Sequence, residues 1–235
     1  MKKLGIALGL VASLGTTAVQ AESADKVALD TDSQKVGYSF GQMFGQRLRD
    51  SLQDIELEAF LAGVRDAYKG EASRITQEEM ARVMQAYQIE QQARQRAEFE
   101  KLAAENKARS EAFLAENAKK EGVLTTASGL QYKVIQKGEG PSPTPNDTVV
   151  VHYTGTLTTG EQFDSSVARG QPATFPVGGV IPGWVEGLQL MNKGAKFQFF
   201  IPSDLAYGPN GNGRIGPNEA LVFDVELIDI KAAGQ

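Results

Sequence analysis

Between Thr76 and Gly122 the chain carries neither glycine nor proline. About 45 residues without a breaker predict one helix roughly 70 Å long. Its start is marked by Thr76-Gln77-Glu78-Glu79, a threonine followed three residues later by a glutamate, the pattern of a capping box. A rod of that length exceeds the diameter of a small domain. The chain must therefore be organised as separate parts on either side of it. The two ends of the rod differ. Met80, Val83, Met84, Tyr87 and Ile89 recur as an apolar stripe. Beyond Glu90 the residues are mostly Ala, Glu, Gln, Lys and Arg, with Phe99, Leu102, Phe113 and Leu114 scattered among them. Sustained heptads are missing over residues 94–120, which argues against a continuous coiled coil. Such a helix persists by propensity and charge pairing, so residues 76–121 are expected to form a connecting helix whose later part is a solvated arm.

On the N-terminal side, residues 1–21 read as a secretory signal. Lys2 and Lys3 form its basic start, Leu4 to Leu14 an apolar run, and Val19-Gln20-Ala21 supplies small residues at cleavage spacing. The mature chain is expected to begin near Glu22. An apolar run of about a dozen residues falls short of the roughly 20 that span a bilayer. No other stretch is apolar enough, so no membrane span is expected. The chain has no cysteine, which excludes a lipoprotein anchor. This leader implies export to a bacterial periplasm, with outer-membrane association or surface display as further options.

Residues 22–75 are expected to be a helical N-terminal domain. Residues 22–31 are polar. From Ser33 onward Val36, Phe40, Met43, Phe44 and Leu48 follow helical spacing, with Asp32 or Ser33 available as a cap. Gly37, Gly41 and Gly45 fall on one face, where missing side chains would admit another helix. A second helix is predicted over residues 56–69, with Leu57, Phe60, Leu61, Val64 and Tyr68 on one stripe and Gly70 ending it. Three helices of this kind, two of them short, offer few core residues for an isolated monomer. A homodimer that buries their stripes through residues 33–90 is expected.

On the C-terminal side, residues 122–235, short strands alternate with Gly/Pro turns. Residues 126–139 alternate as a strand does, and residues 140–147 form a proline-rich loop. Further strands are predicted at residues 148–156, 196–201 and 221–230. Residues 185–189 form a short apolar helix, introduced by Pro182-Gly183 and ended before Gly194. The fold class is therefore α+β: an all-helical N-terminal region, a long helix, and an antiparallel sheet wrapped on a short helix.

Composition narrows the chemistry. Without cysteine there is no thiolate nucleophile and no thiolate metal site, and a single histidine, His152, cannot build a histidine-rich one. Net charge is −5, and becomes −7 once Lys2 and Lys3 are removed, which argues against nucleic acid as a partner. What stands out instead is a series of aromatic residues in ordered motifs. They are His152-Tyr153-Thr154-Gly155, Phe163-Asp164-Ser165-Ser166, Val180-Ile181-Pro182-Gly183-Trp184, Ala206-Tyr207-Gly208 and Leu221-Val222-Phe223.

In order and spacing, residues 125–230 resemble the FKBP family of peptidyl-prolyl cis-trans isomerases. The succession of signal, helical region, long helix and this domain resembles the periplasmic Mip/FkpA-like subgroup, relatives of the macrophage infectivity potentiator. The resemblance implies a pocket for proline. Tyr153, Phe163 and Asp164 would form one wall, Phe175, Val180 and Ile181 another, and Trp184 the floor, with Tyr207, Ile215 and Phe223 completing it. It also implies that the Ile181 N–H and the Tyr207 hydroxyl bond substrate carbonyls, with Asp164 beside the twisted amide; Asp164 and Tyr207 are the catalytic assignments. The sequence departs from the family pattern at Ala173, where many members carry an aromatic, and at Asn210-Gly211-Asn212-Gly213-Arg214, where an apolar loop is usual. His152 alternates with Tyr153 and is read as structural, and Phe197 and Phe199 as core or surface. Asp164 ahead of two serines could also simply cap a turn.

Such chemistry breaks no bond, so it requires no nucleophile, metal or cofactor. The expected partners are prolyl peptides, unfolded exported proteins and macrolides of the rapamycin type. Two competing functions remain: a periplasmic holding chaperone whose helical dimer binds nonnative chains, and a virulence-associated interaction protein.

Overall fold

The computed structural model describes residues 27–51 and 55–232. The signal expected at residues 1–21 and cleavage before Glu22 lie outside the described residues. Two compact units meet in the chain at Thr76 and Gln77.

The first unit holds α1 (Asp32–Ser51) and α2 (Leu57–Lys69). The start of α1 is fixed one residue earlier than expected. Thr31 Oγ1 accepts from the Gln34 N–H, and Gln34 Oε1 accepts from the Thr31 N–H, a reciprocal capping box that leaves Asp32 and Ser33 inside the helix. Glu56 caps α2 by accepting from the Glu58 and Ala59 N–H groups, and Gly70, at φ 71°, closes it. The apolar stripes remain exposed in this chain. Phe40 is 68% exposed and Phe44 59%. Nothing lies within 4 Å of where a Cβ would stand on Gly37, Gly41 or Gly45. Gly41, Phe44, Gly45, Phe60 and Leu61 are among the residues lining an apolar groove of about 480 Å³.

The second unit begins with α3 (Gln77–Asn117), 41 residues without a break. Its middle is laced by exposed pairs such as Arg94–Glu90 and Arg96–Glu100, spaced for helical pairing. Its last turns depart from the expected solvated arm. Asn106, Ser110 and Asn117 are buried, and the Phe113 ring lies 6.1 Å from that of Phe200. The buried residues of the docked face are polar, so a search for apolar periodicity passes over them.

The remaining strands are β1 (Val123–Thr125), β2 (Gln131–Gln136), β3 (Thr148–Leu157), β4 (Gln162–Ser165), β5 (Ala173–Pro176), β6 (Lys196–Ile201) and β7 (Leu221–Lys231). They form one antiparallel sheet in the order β1-β2-β6-β7-β3-β4, with β5 paired to the first half of β3. Helix α4 (Pro182–Gln189) lies on β6. Gly183 and Gly187 bring it close, since a Cβ on them would stand 2.4 Å from Ile201 and 2.7 Å from Phe199. The core between them holds Leu130, Val151, Leu188, Phe199, Leu221 and Leu227, all fully buried. This is the α+β sheet and short helix that the sequence predicts.

Candidate active site

The site grows from strand β3. Its residues alternate strictly, so Val149, Val151, Tyr153, Gly155 and Leu157 face inward. His152 faces the other way, where its Nδ1 lies 3.2 Å from Ser166 Oγ. The neighbouring strands deliver more aromatics at matching levels. Phe223 on β7 and Asp164 on β4 both pair with Gly155, and Phe175 on β5 pairs with Val149.

Helix α4 contributes the floor. Pro182 at its first turn fixes the chain's entry, and Trp184 follows, 4% exposed. Three rings stand edge-on to the indole: Tyr153 at 5.3 Å and 89°, Phe223 at 5.2 Å and 85°, Phe175 at 5.9 Å and 86°. Phe163 meets Phe223 in the same way, at 5.5 Å and 84°. Edge-to-face contacts set a positive ring edge against a negative face, so this box is held by electrostatics as well as by burial.

The box encloses a cavity of about 490 Å³. It is lined by Tyr153, Phe163, Asp164, Phe175, Val180, Ile181, Trp184, Tyr207 and Phe223, and also by Gly179. Every residue predicted from the sequence is brought together here except Ile215. That side chain is 7% exposed and packs in the core, while its backbone closes a turn with Asn212 through bonds of 2.8 and 3.0 Å. Ala173 pairs with Val151 and packs against the core without lining the cavity.

Polar groups are few and gathered at one wall. The Tyr153 hydroxyl donates to Asp164, and Arg169 pairs with Asp164 and donates to the Tyr153 oxygen at 3.0 Å. Partial burial pushes the Asp164 carboxyl up, but the Tyr153 and Arg169 hydrogen bonds outweigh it and hold the group below its ordinary value. Burial, then the bond to Asp164, pushes the Tyr153 phenol up. Asp164 is thus a fixed anion and Tyr153 a fixed neutral donor. Arg169 carried no sequence signal, being one exposed arginine in a turn five residues past Asp164. Gly179 was missed because glycine has no side chain to mark it.

Elsewhere on the wall, the Ile181 carbonyl accepts from Trp184 and Val185 at 2.9 and 3.1 Å. Among the described residues no backbone carbonyl accepts from its N–H. Trp184 Nε1 is buried and likewise without a partner among them. Among those residues no group of three or more His, Cys, Asp or Glu could hold a metal ion. The arrangement can enclose a small apolar ring, exclude water from it, and offer hydrogen bonds at the edge.

Residues 140–228 match the family described as "FKBP-type peptidyl-prolyl cis-trans isomerase". Residues 33–134 match "Domain amino terminal to FKBP-type peptidyl-prolyl isomerase". The chain is 45% identical over 212 residues to the outer membrane protein MIP of Legionella longbeachae, covering 90% of this chain and 91% of the relative. It is 44% identical over 227 residues to the peptidyl-prolyl cis-trans isomerase Mip of Coxiella burnetii, covering 96% of both. Among solved structures, that of FkpA from Escherichia coli matches with a TM-score of 0.76 at 40% identity, covering 88% of this chain and all of that one.

Proposed function

The chain belongs to the FKBP-type peptidyl-prolyl cis-trans isomerases, and on that premise we propose that it turns over X–Pro bonds of unfolded exported proteins in the cavity floored by Trp184. The activity itself is that of a peptidyl-prolyl cis-trans isomerase.

The barrier to rotating an X–Pro bond is about 18–20 kcal/mol, because twisting breaks amide resonance. Unassisted, the change takes roughly tens to hundreds of seconds, slow enough to limit folding. A planar amide has a polarised carbonyl that water stabilises. A twisted one has less charge separation. The aromatic box strips water from the amide and so disfavours the planar states relative to the transition state. The proline ring packs over the Trp184 indole, against Tyr153, Phe175 and Phe223. The Ile181 N–H and the Tyr207 hydroxyl bond the flanking carbonyls, which hold the peptide while one bond turns. Asp164, kept ionised by Arg169 and oriented by Tyr153, sits beside the amide carbonyl carbon. No residue changes its covalent state in this scheme, and none needs to.

The observation that carries this reading is the set of rings standing edge-on around Trp184, with one anchored carboxylate at the wall. A cavity of this size and polarity also suits macrolides of the rapamycin type. Rates of short-peptide isomerisation in variants at Tyr207 and Asp164 test it.

A second reading concerns the first unit. The exposed stripes of α1 and α2 favour a homodimer through residues 33–90, whose apolar surface could hold nonnative chains. A periplasmic site of action is supported by the leader at residues 1–21 and by relatives such as the outer membrane protein MIP. Among the described residues no helix is long and apolar enough to cross a membrane.

A further inference from the structure

The buried polar face of α3 has no part in the scheme above. It meets the segment between Tyr207 and β7, and it supplies the hydrogen bonds that this segment's backbone would otherwise lack. Asn106 Nδ2 donates to the Pro217 carbonyl at 2.9 Å. Ser110 Oγ donates to the Asn218 carbonyl at 2.9 Å and accepts from the Ala220 N–H at 2.8 Å. Asn218 Nδ2 donates back to the Ala103 carbonyl of α3 at 3.1 Å. Asn106 and Ser110 are 1% and 5% exposed, so these bonds are shielded from water, and losing one leaves a buried group unpaired.

The segment is tightly specified at this contact. Asn218 has φ 57° and is the one non-glycine with positive φ among the described residues. A Cβ on Gly216 would lie 2.8 Å from Asn106 Nδ2. From Asn218 the chain of bonds runs on to the site, because its N–H donates to the Gly208 carbonyl at 3.0 Å, next to Tyr207.

We infer that Asn106 and Ser110 of the long helix are positioning residues for isomerisation, holding through Asn218 and Gly208 the loop that presents the Tyr207 hydroxyl to the peptide. This rests on the role given to Tyr207 above. The helix is then part of the catalytic unit and not merely a spacer before it. The loop between Gly208 and Asn218 is rich in glycine; Ile215 anchors its middle in the core, and the α3 contacts fix its C-terminal end.

The test uses the full chain with fluorotyrosine in place of tyrosine. Ser110→Ala removes both Oγ bonds. Asn218→Gly keeps the left-handed backbone and removes only the bond to Ala103, so it folds even if the first variant does not. The Tyr207 fluorine resonance, assigned from Tyr207→Phe, shifts or broadens in each variant that folds, while Trp184 emission is unchanged. Peptide kcat/KM falls about threefold to tenfold, the net worth of a hydrogen bond, with most of the change in kcat. Combined with Tyr207→Phe, neither substitution lowers the rate further. An unmoved Tyr207 resonance, or a fall that adds to that of Tyr207→Phe, overturns the inference. If Tyr207→Phe alone keeps the parent rate, the assigned role of Tyr207 fails, and the resonance still decides whether α3 positions the loop.

Discussion

Gly155 on β3 lies opposite Phe223 on β7, and a Cβ added to Gly155 would stand 2.6 Å from the Phe223 ring and 2.7 Å from that of Phe163. The pocket's rings can meet only because that strand position is empty. Gly155→Ala should therefore destabilise the protein by about 1–3 kcal/mol through overpacking. It should also lower isomerase activity by pushing Phe223 toward Trp184. Chemical denaturation and a peptide assay on the same preparation check this. Parent stability with parent activity would show that the rings yield freely.

The charge of Asp164 sets a pH window. Burial opposes its ionisation, but the Tyr153 and Arg169 bonds prevail and lower its pKa from 3.8. A carboxyl depressed on folding contributes stability above its unfolded value, and that contribution disappears as pH falls through the lower folded value. Tyr153 is raised from 10.0 and stays neutral up to strongly alkaline pH. The kcat/KM profile should therefore be flat between these limits. Carbon-detected NMR titration of Asp164 should show a pKa below 3.8, moving upward in Arg169→Ala. An Asp164 that titrates at its ordinary value, unaffected by Arg169, would contradict the geometry.

Trp184 is the only tryptophan in the chain, so its emission reports on the pocket floor directly. A macrolide of the rapamycin type should change that emission and inhibit competitively with peptide, the two titrations giving one affinity. Inhibition without any change at Trp184 would place the macrolide elsewhere.

The first unit should be a dimer contact. In sedimentation velocity at micromolar concentration the full chain is expected to run as a dimer, and Phe44→Glu as a monomer that still isomerises short peptides. Desolvating a new carboxylate on the Phe44 face would oppose association strongly. A parent chain that sediments as a monomer would leave the exposed stripes without a homodimeric role.

Much of this fold is legible in the sequence because its signals are local. The gap in Gly and Pro sets α3, alternation sets β3, and Gly70 ends α2. The cavity lining was expected only through the resemblance to the FKBP family, which carries Tyr153, Trp184 and Phe223 to a common pocket, and all three line the cavity. What was not legible depends on long-range partners. Arg169 matters only because a turn returns it to Asp164. Asn106 and Ser110 look like solvated helix positions until the Pro217–Ala220 backbone is laid against them. Ile215 was expected at the cavity, but it is buried in the core and is not among the lining residues. Apolar periodicity finds greasy faces, and these contacts are polar.

The cavity floored by Trp184 is where we propose that isomerisation occurs, with Asp164 and Tyr207 at the amide. Cis-to-trans conversion of a short Xaa-Pro peptide by the full-length Asp164→Ala/Tyr207→Phe chain tests it most directly. The double variant should fold normally and lose about tenfold or more in kcat/KM, the combined worth of one substrate hydrogen bond and one anchored charge. A rate equal to that of the parent chain would contradict the assignment.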